Sequence, residues 1–182
     1  MKEIAKAFKK AIMDEFDGYL KTVGFKKIRR HADKFGFSII YRFGGRYIIF
    51  NASLDPRDYP FMYSISFGEG SNDFPESDWN AIPIFLIIKS ESLVDFEKCK
   101  EIFSIENKIS QDEIVQKIKA SRELLEKYGK AFLSNDLDEF RKLRAEQNKD
   151  REPYKIYFPQ KDGKYKMEYE KQSNELKDKY SK

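Results

Sequence analysis

The sequence contains very few of the side chains on which most catalytic and metal sites depend. Its 182 residues include one histidine, His31, and one cysteine, Cys99. Zinc sites of the Cys/His kind need three or four such ligands, so this class is excluded. A nucleophile activated by histidine is also disfavoured, because His31 follows two arginines and the chain has no G-x-S-x-G motif. A single cysteine cannot form an internal disulfide, which favours a reducing compartment.

Long apolar runs and a phosphate-binding loop are missing as well. The longest apolar run, 82–88, is far shorter than the roughly 20 residues that a membrane span needs. The N-terminus lacks the apolar stretch and cleavage site of a secretory signal, so we expect a cytoplasmic protein with no membrane partner. The G-x-G of 67–73 lies among acidic residues that would repel a phosphate, and we predict no cofactor. The lysine-rich composition is typical of bacterial proteins.

Charged residues, in contrast, are abundant and unevenly distributed. They make up 36% of the chain, yet the formal net charge is only +4. Residues 1–34 carry a net charge of +5, residues 35–140 carry −6, and residues 141–182 carry +5. The small total therefore hides an acidic middle between two basic ends. Such an asymmetry bears on the choice of partners and not on the fold.

The first half of the chain has the periodicity of a helix followed by an antiparallel sheet. Apolar residues recur every four positions over residues 2–23, which predicts an amphipathic helix that ends at Gly24. The runs 35–43 and 46–54 are strand-like, and the glycine pair between them suits a two-residue hairpin turn. Strict alternation over 61–67 predicts a third strand.

Two segments of the first half are less regular. Residues 25–34 form a basic stretch with Phe25 and Ile28 as apolar anchors. The run 82–90 is so apolar that its period does not separate a buried strand from a helix, and its Ile and Phe content favours a strand.

The second half has helical patterns and ends in a polar segment. Ser110 and Glu113 have the spacing of a capping box, and Asn135 or Asp136 could cap a later helix. Cys99 lies on the apolar face of a predicted helix, as a small core residue would. A short edge strand near 154–158 and a last helix over about 167–180 complete the pattern.

These patterns predict one α+β domain with an appendage. An antiparallel sheet of three to five strands packs against an N-terminal helix and a C-terminal helical cluster. We expect residues 1–150 to form this domain, and residues 151–182 to form a charged, partly ordered C-terminal extension.

The most distinctive segment is FGEGSNDFPESDWNAIP, residues 67–83, which we call the acidic loop. An acidic surface with exposed aromatic side chains can mimic nucleic acid and bind a basic protein, and Trp is enriched at interface hot spots. The alternative, which the pattern favours for the tryptophan, is a buried anchor beneath the loop. The candidate partner-binding residues are Glu69, Asp73, Glu76, Asp78 and Trp79.

Two other function classes remain open from the residues alone. The basic segments 26–34 and 141–151 have the Lys/Arg density that binds nucleic acid, although no zinc finger, ribonucleoprotein motif or GXXG loop is present. Carboxylates in loops could bind Mg²⁺ or Ca²⁺ or act as acid and base, although their spacing matches no EF-hand. The carboxylates in question are Asp55, Asp58 and the four of the acidic loop.

The order of these segments resembles a group of small bacterial α+β domains of unknown function. The resemblance is carried by Gly24-Phe25-Lys26-Lys27, the hairpin, Phe67-Gly68 and Trp79-Asn80, and residues 116–157 are similar to a C-terminal module of the same group. Some members are associated with immunity proteins of polymorphic-toxin systems. The resemblance thus implies an immunity-type protein that binds a toxin-like partner, and it assigns no catalytic residue. Together with the composition, it leads us to expect a cytosolic, non-enzymatic protein-interaction domain. A nucleic-acid-associated protein is the alternative.

Overall fold

A computed structural model of the chain describes residues 2–106, 108–160 and 164–182. The helices are Lys2–Thr22 (α1), Glu76–Asn80 (α2), Ile84–Glu91 (α3), Leu93–Ile102 (α4), Gln111–Tyr128 (α5), Lys130–Leu133 (α6), Asp138–Asn148 (α7) and Lys171–Tyr180 (α8). The strands are Lys26–Ala32 (β1), Gly36–Phe43 (β2), Arg46–Ser53 (β3), Phe61–Glu69 (β4), Ala81–Pro83 (β5), Ser104–Ile105 (β6), Lys155–Pro159 (β7) and Tyr165–Tyr169 (β8).

Helix α1 covers the sheet with the apolar stripe that its sequence predicts. Its buried side chains include Phe8, Ile12 and Phe16, which pack against β2 and α5. The helix ends in a Schellman motif, in which the amides of Gly24 and Phe25 donate to carbonyls of the last turn at 3.1 and 2.8 Å. Glycine suits this position because its φ is +89°. The predicted helix and its glycine stop are confirmed.

The sheet is antiparallel, with the order β1-β2-β3-β4-β5 and a sixth strand, β6, also on β4. Strands β2 and β3 form the predicted hairpin through Gly44-Gly45, where Gly44 has a φ of +59°. The short strands β5 and β6 pair with opposite ends of β4, at 66–68 and 61–62. The α+β class is confirmed. The sheet has one strand more than the predicted three to five. Strand β6 was not predicted, because two residues are too few to show an alternating pattern.

Two local predictions are wrong in an instructive way. Most of the 82–90 run is helix α3 and not a strand, since Ile84, Ile87 and Ile88 bury one helical face and only 81–83 pairs with β4. The basic stretch is itself the edge strand β1. A β-bulge between Lys27 and Arg29 leaves Ile28 exposed, so it is not an anchor.

The helical cluster follows the sequence signals more closely. The Ser110 hydroxyl accepts from the Glu113 amide, and the Glu113 carboxylate accepts from the Ser110 amide, so the predicted capping box is present. Cys99 is buried in the main core, as expected. The predicted cap of α7 is wrong, because Leu137 occupies that position and Asn135 adopts a left-handed turn after α6.

The described residues of 151–182 form an antiparallel pair of strands and a helix. Strands β7 and β8 pair only with each other among the described residues, and all ten of their residues are exposed. The final helix α8 packs against α2 and α7, beside the acidic loop. Across the described residues no helix is both long and apolar enough to cross a bilayer.

Candidate functional site

The acidic loop leaves the sheet at two glycines that its neighbours require. The Tyr47 ring lies across Gly68, where a Cβ would come within 2.0 Å of the ring. Gly70 has a φ of +104°, and its amide donates to the Gly45 carbonyl at 2.7 Å. These contacts turn the chain back over the end of β3 and β4, so that the loop covers this end of the sheet.

A buried polar network fixes the inner side of the loop. The Tyr47 hydroxyl donates to the Asn80 side-chain oxygen, and the Asn80 amide group donates to the Ser71 carbonyl at 2.7 Å. Arg42 donates to the Gly70 carbonyl at 3.0 Å. Because Tyr47 and Asn80 are both fully buried, these bonds hold the loop in one conformation.

Trp79 lies beneath the loop and is 0% exposed. Its neighbours are Leu176 and Tyr180 of α8, and these three residues form a small apolar cluster separate from the main core. The guanidinium of Arg151 stacks 4.4 Å from the centre of its ring. The preference of the sequence for burial is therefore correct, and in this arrangement Trp79 offers no surface to a partner.

Glu69 binds two arginines of α7. Its carboxylate accepts a bidentate pair of hydrogen bonds from Arg141 at 2.5 and 3.1 Å, and one from Arg144 at 3.2 Å. The hydrogen bonds from Arg141, and then the second arginine, hold the pKa of Glu69 below its ordinary value despite partial burial.

Glu76 binds the end of α8. Its carboxylate accepts from the Tyr180 hydroxyl at 2.5 Å and from the Lys179 ammonium at 2.9 Å. Burial alone would raise the pKa of Glu76, but the hydrogen bonds from Tyr180 and Lys179 outweigh it and the pKa is lowered. With α8 in this position, the Glu76 carboxylate is therefore ionised at neutral pH.

Asp78 binds the segment that follows α7. Its carboxylate accepts from Arg151 at 3.1 Å and from the Tyr154 hydroxyl at 2.5 Å. Burial, followed by the hydrogen bond to Asp78, raises the pKa of Tyr154 to about 12. Three of the four loop carboxylates therefore each have a cationic partner from the C-terminal part of the same chain, and Glu76 and Asp78 also bind a tyrosine hydroxyl.

The tip of the loop is different. Asp73 is exposed, and its carboxylate forms no ion pair within the described residues. The next residue, Phe74, is 73% exposed, and its ring centre lies 5.6 Å from that of Tyr154. Of the predicted partner-binding residues, Asp73 is thus the one whose charge stays available, and Phe74 is an exposed aromatic residue that sequence reasoning missed.

Sequence reasoning placed segment 141–151 among the candidates for nucleic-acid binding and did not connect the acidic loop with the residues that bind its carboxylates. They come from three separate elements, and the signal that could have identified them is the opposite charge of residues 35–140 and 141–182. The charge asymmetry was assigned to outside partners, whereas the fold pairs the two regions with each other. These residues are Arg141, Arg144, Arg151, Lys179 and Tyr180.

The remaining chemistry of the described residues is limited. No group of three or more His, Cys, Asp and Glu side chains in this part of the chain lies close enough to hold a metal ion. His31 is at the surface beside Asp33 at 3.1 Å. Burial, and then the nearby Asp95, raises the pKa of the Cys99 thiol, which is opposite to what a reactive cysteine needs.

Comparisons with protein-family models, with curated proteins and with solved structures give no significant match.

Proposed function

We propose that this chain is a non-enzymatic protein-binding domain that binds a basic protein partner through the tip of the acidic loop. One observation carries the proposal: the exposed pair Asp73 and Phe74 stands at the tip of a loop whose other carboxylates already bind Arg, Lys and Tyr groups. Phenylalanine is among the aromatic residues enriched in interface cores, and an exposed carboxylate beside it can pair with a basic group of a partner.

The contacts inside the molecule support a cationic partner for the loop. Glu69, Glu76 and Asp78 each accept hydrogen bonds from a cationic side chain, and Arg151 stacks on Trp79. A partner that brings Arg or Lys to Asp73 and an apolar or cationic surface to Phe74 would use the same interactions. The resemblance to immunity-associated bacterial domains supports a cytoplasmic, toxin-like partner, and the exposed Asp73 carboxylate would attract a basic group on that partner.

The test uses two double variants of the full chain. Asp73→Lys with Phe74→Ser alters the tip, and Glu91→Lys with Leu93→Ser makes matched changes at another exposed acidic and apolar pair. The binding partner is the purified product of a toxin gene adjacent to the gene for this chain. We expect the tip variant to lose at least about tenfold in affinity, because charge reversal replaces attraction with repulsion, and the matched variant to bind like the wild type.

Three outcomes would overturn the proposal. The immunity role fails if no toxin gene lies adjacent, or if the adjacent product does not bind. The role of the tip fails if binding is equally strong with both variants. Survival of cells that express the toxin measures the immunity function. The wild-type chain should protect these cells, and the tip variant should not.

A specific feature favours nucleic-acid binding as the second candidate function. On the edge strand β1, Lys26, Arg29 and Arg30 are exposed and form no ion pair with any described residue. In the other basic segment, 141–151, most cations are already paired, for example Arg141 with Glu69. If the protein binds nucleic acid, strand β1 is therefore the candidate binding surface.

This alternative predicts binding to DNA or RNA that weakens steeply as salt rises. Replacing Arg29 and Arg30 with Gln should reduce both the affinity and the salt slope, whereas Lys142→Gln should change neither. An absence of binding at low ionic strength would exclude it.

A further inference from the structure

Strands β7 and β8 form a two-stranded pair that the rest of the described chain leaves uncovered. All ten of their residues are exposed, and no other described element packs extensively on them. One face of the pair carries large side chains that are 42–68% exposed, namely Tyr157, Tyr165, Met167 and Tyr169. A pair of strands by itself is at best marginally stable in water, and further strands stabilise it. The pair is therefore a surface to which another strand can add.

The outer edge of β8 has a complete set of backbone donors and acceptors. At one end of the pair, the Glu170 amide donates to the Tyr154 carbonyl at 2.7 Å. In an antiparallel ladder the residues that hydrogen-bond to the neighbouring strand alternate along each strand. The even-numbered residues of β8 therefore hydrogen-bond to β7, and the amides and carbonyls of Tyr165, Met167 and Tyr169 point to the outer edge. This edge pairs with no other strand of the described residues.

The outer edge of β7 is less suited to strand addition. By the same alternation its outward residues are Lys155, Tyr157 and Pro159, and proline has no amide to donate. If two copies of β7 paired antiparallel about Tyr157, each Lys155 would lie opposite a Pro159, and no opposite charges would meet. Proline and lysine are residues that discourage pairing at a sheet edge. Of the two free edges, β8 is thus the one that favours an added strand.

The sequence of β8 identifies the strand that fits this edge. Its residues read YKMEY, which is symmetric about Met167 except that Lys166 and Glu168 carry opposite charges. If two copies of β8 pair antiparallel about Met167, Lys166 of each copy lies opposite Glu168 of the other, and Tyr165 lies opposite Tyr169. Opposite charges and aromatic pairs directly across an antiparallel ladder are stabilising. The same register also joins the outward-pointing backbone groups, so charge and backbone agree on one centre.

We propose that β8 is a self-association site, at which two copies of the chain form a symmetric dimer with a four-stranded sheet of order β7-β8-β8-β7. The interface is isologous, because the same strand serves both copies. The aromatic faces of the two pairs become continuous, with Met167 of both copies at the centre. Five residues a side is far fewer than the roughly 20–30 of a standard interface, so the association should be weak and depend on concentration.

The first test changes the charges of β8 in the full chain and measures association by sedimentation equilibrium. Lys166→Glu places carboxylates opposite each other in the dimer, and Glu168→Lys places ammonium groups opposite each other. Each variant should therefore associate at least about tenfold more weakly than the wild type. An equimolar mixture of the two variants should form a mixed dimer, because opposite charges then face each other again. Lys171→Glu, which makes the same change in net charge at an exposed ion pair of α8, should associate like the wild type.

The second test measures the register of the dimer by disulfide cross-linking. Two copies of Met167→Cys should cross-link on mild oxidation, because the substituted positions lie directly opposite each other. Tyr157→Cys lies on the same face but on the outer strand, so its two copies are three strand spacings apart, about 14 Å, and should not cross-link. The wild type should not cross-link either, because its one cysteine, Cys99, is buried.

Three results would overturn the inference. The chain could remain monomeric up to about 1 mM, or the charge variants could associate as the wild type does while their mixture gives no mixed dimer. Equal cross-linking of Met167→Cys and Tyr157→Cys would show a contact through the aromatic face or the β7 edge instead. The substituted residues of β7 and β8 are exposed, so the fold should persist, and circular dichroism checks this.

This inference does not rest on the proposed function. The tests use the chain alone, with no toxin, and they change neither Asp73 nor Phe74. A failure of self-association therefore leaves the role of the loop tip intact, and a failure of the tip variants leaves the dimer intact.

Discussion

The two arginines that bind Glu69 differ in exposure, and this difference allows the cost of removing a charge to be worked out. The Arg144 side chain keeps 9% of its exposure, whereas that of Arg141 keeps 51%. The substitution Glu69→Gln preserves the shape of the side chain and removes its charge. The loss of stability should come mainly from Arg144, because its guanidinium would then be buried without an ionic partner.

The magnitude follows from two limits. Removing one partner of a fully buried ion pair costs about 3–5 kcal/mol, and an exposed pair contributes about 0–1 kcal/mol. Since the Glu69 side chain is 27% exposed, Glu69→Gln should lower the free energy of unfolding by about 2–3 kcal/mol. Arg141→Ala, which leaves the Arg144 contact in place, should lower it by less than about 1 kcal/mol.

Urea denaturation with linear extrapolation measures both values, provided that the m-value stays constant. A third variant, Glu69→Leu with Arg144→Met, replaces both buried charges with apolar groups and should be within about 1 kcal/mol of the wild type. The reasoning is refuted if Arg141→Ala costs as much as Glu69→Gln, or if the third variant is as unstable as Glu69→Gln.

Two further predictions concern the same region. Gly68→Ala should lower the free energy of unfolding by about 1–3 kcal/mol, because the new Cβ would lie 2.0 Å from the Tyr47 ring. Gly45→Ala is the matched control and should lower it by about 0.5 kcal/mol or less, because a Cβ there meets no atom within 4 Å. Urea denaturation compares the two variants. Acid should expose Trp79, because the lowered pKa of Glu76 stabilises the folded state above the unfolded pKa of about 4.3, and this contribution is lost as the pH falls through the folded pKa. Acrylamide quenching that stays constant from neutral pH to about pH 3 would contradict this.

The local elements were largely predictable because their signals are short-range. The stripe of α1, the Gly44-Gly45 hairpin and the capping box of Ser110 each depend on residues within one element or one turn. Backbone preference and side-chain period act over the same distance, so the fold class followed from them.

The segments that the sequence misassigned lack such a signal. The 82–90 run is wholly apolar as far as Ile88, so its period is uninformative. In the fold, 81–83 pair with β4, and helix α3 begins directly after this pairing and buries Ile84, Ile87 and Ile88. Ile28 is exposed because of a β-bulge, which depends on the register between β1 and β2.

For the candidate site, the sequence by itself determined the charges and the tertiary structure decided their partners. The four carboxylates, the lone Trp79 and the opposite charge of the C-terminal part are visible in the printed residues. That Glu69 meets Arg141, and Glu76 meets Lys179, depends on contacts between residues 72 and 103 positions apart. Coulomb attraction is not tied to sequence spacing, so only the packing of α7 and α8 beside the loop could show that most of its charge is used within the molecule, and that Asp73 and Phe74 remain exposed at its tip.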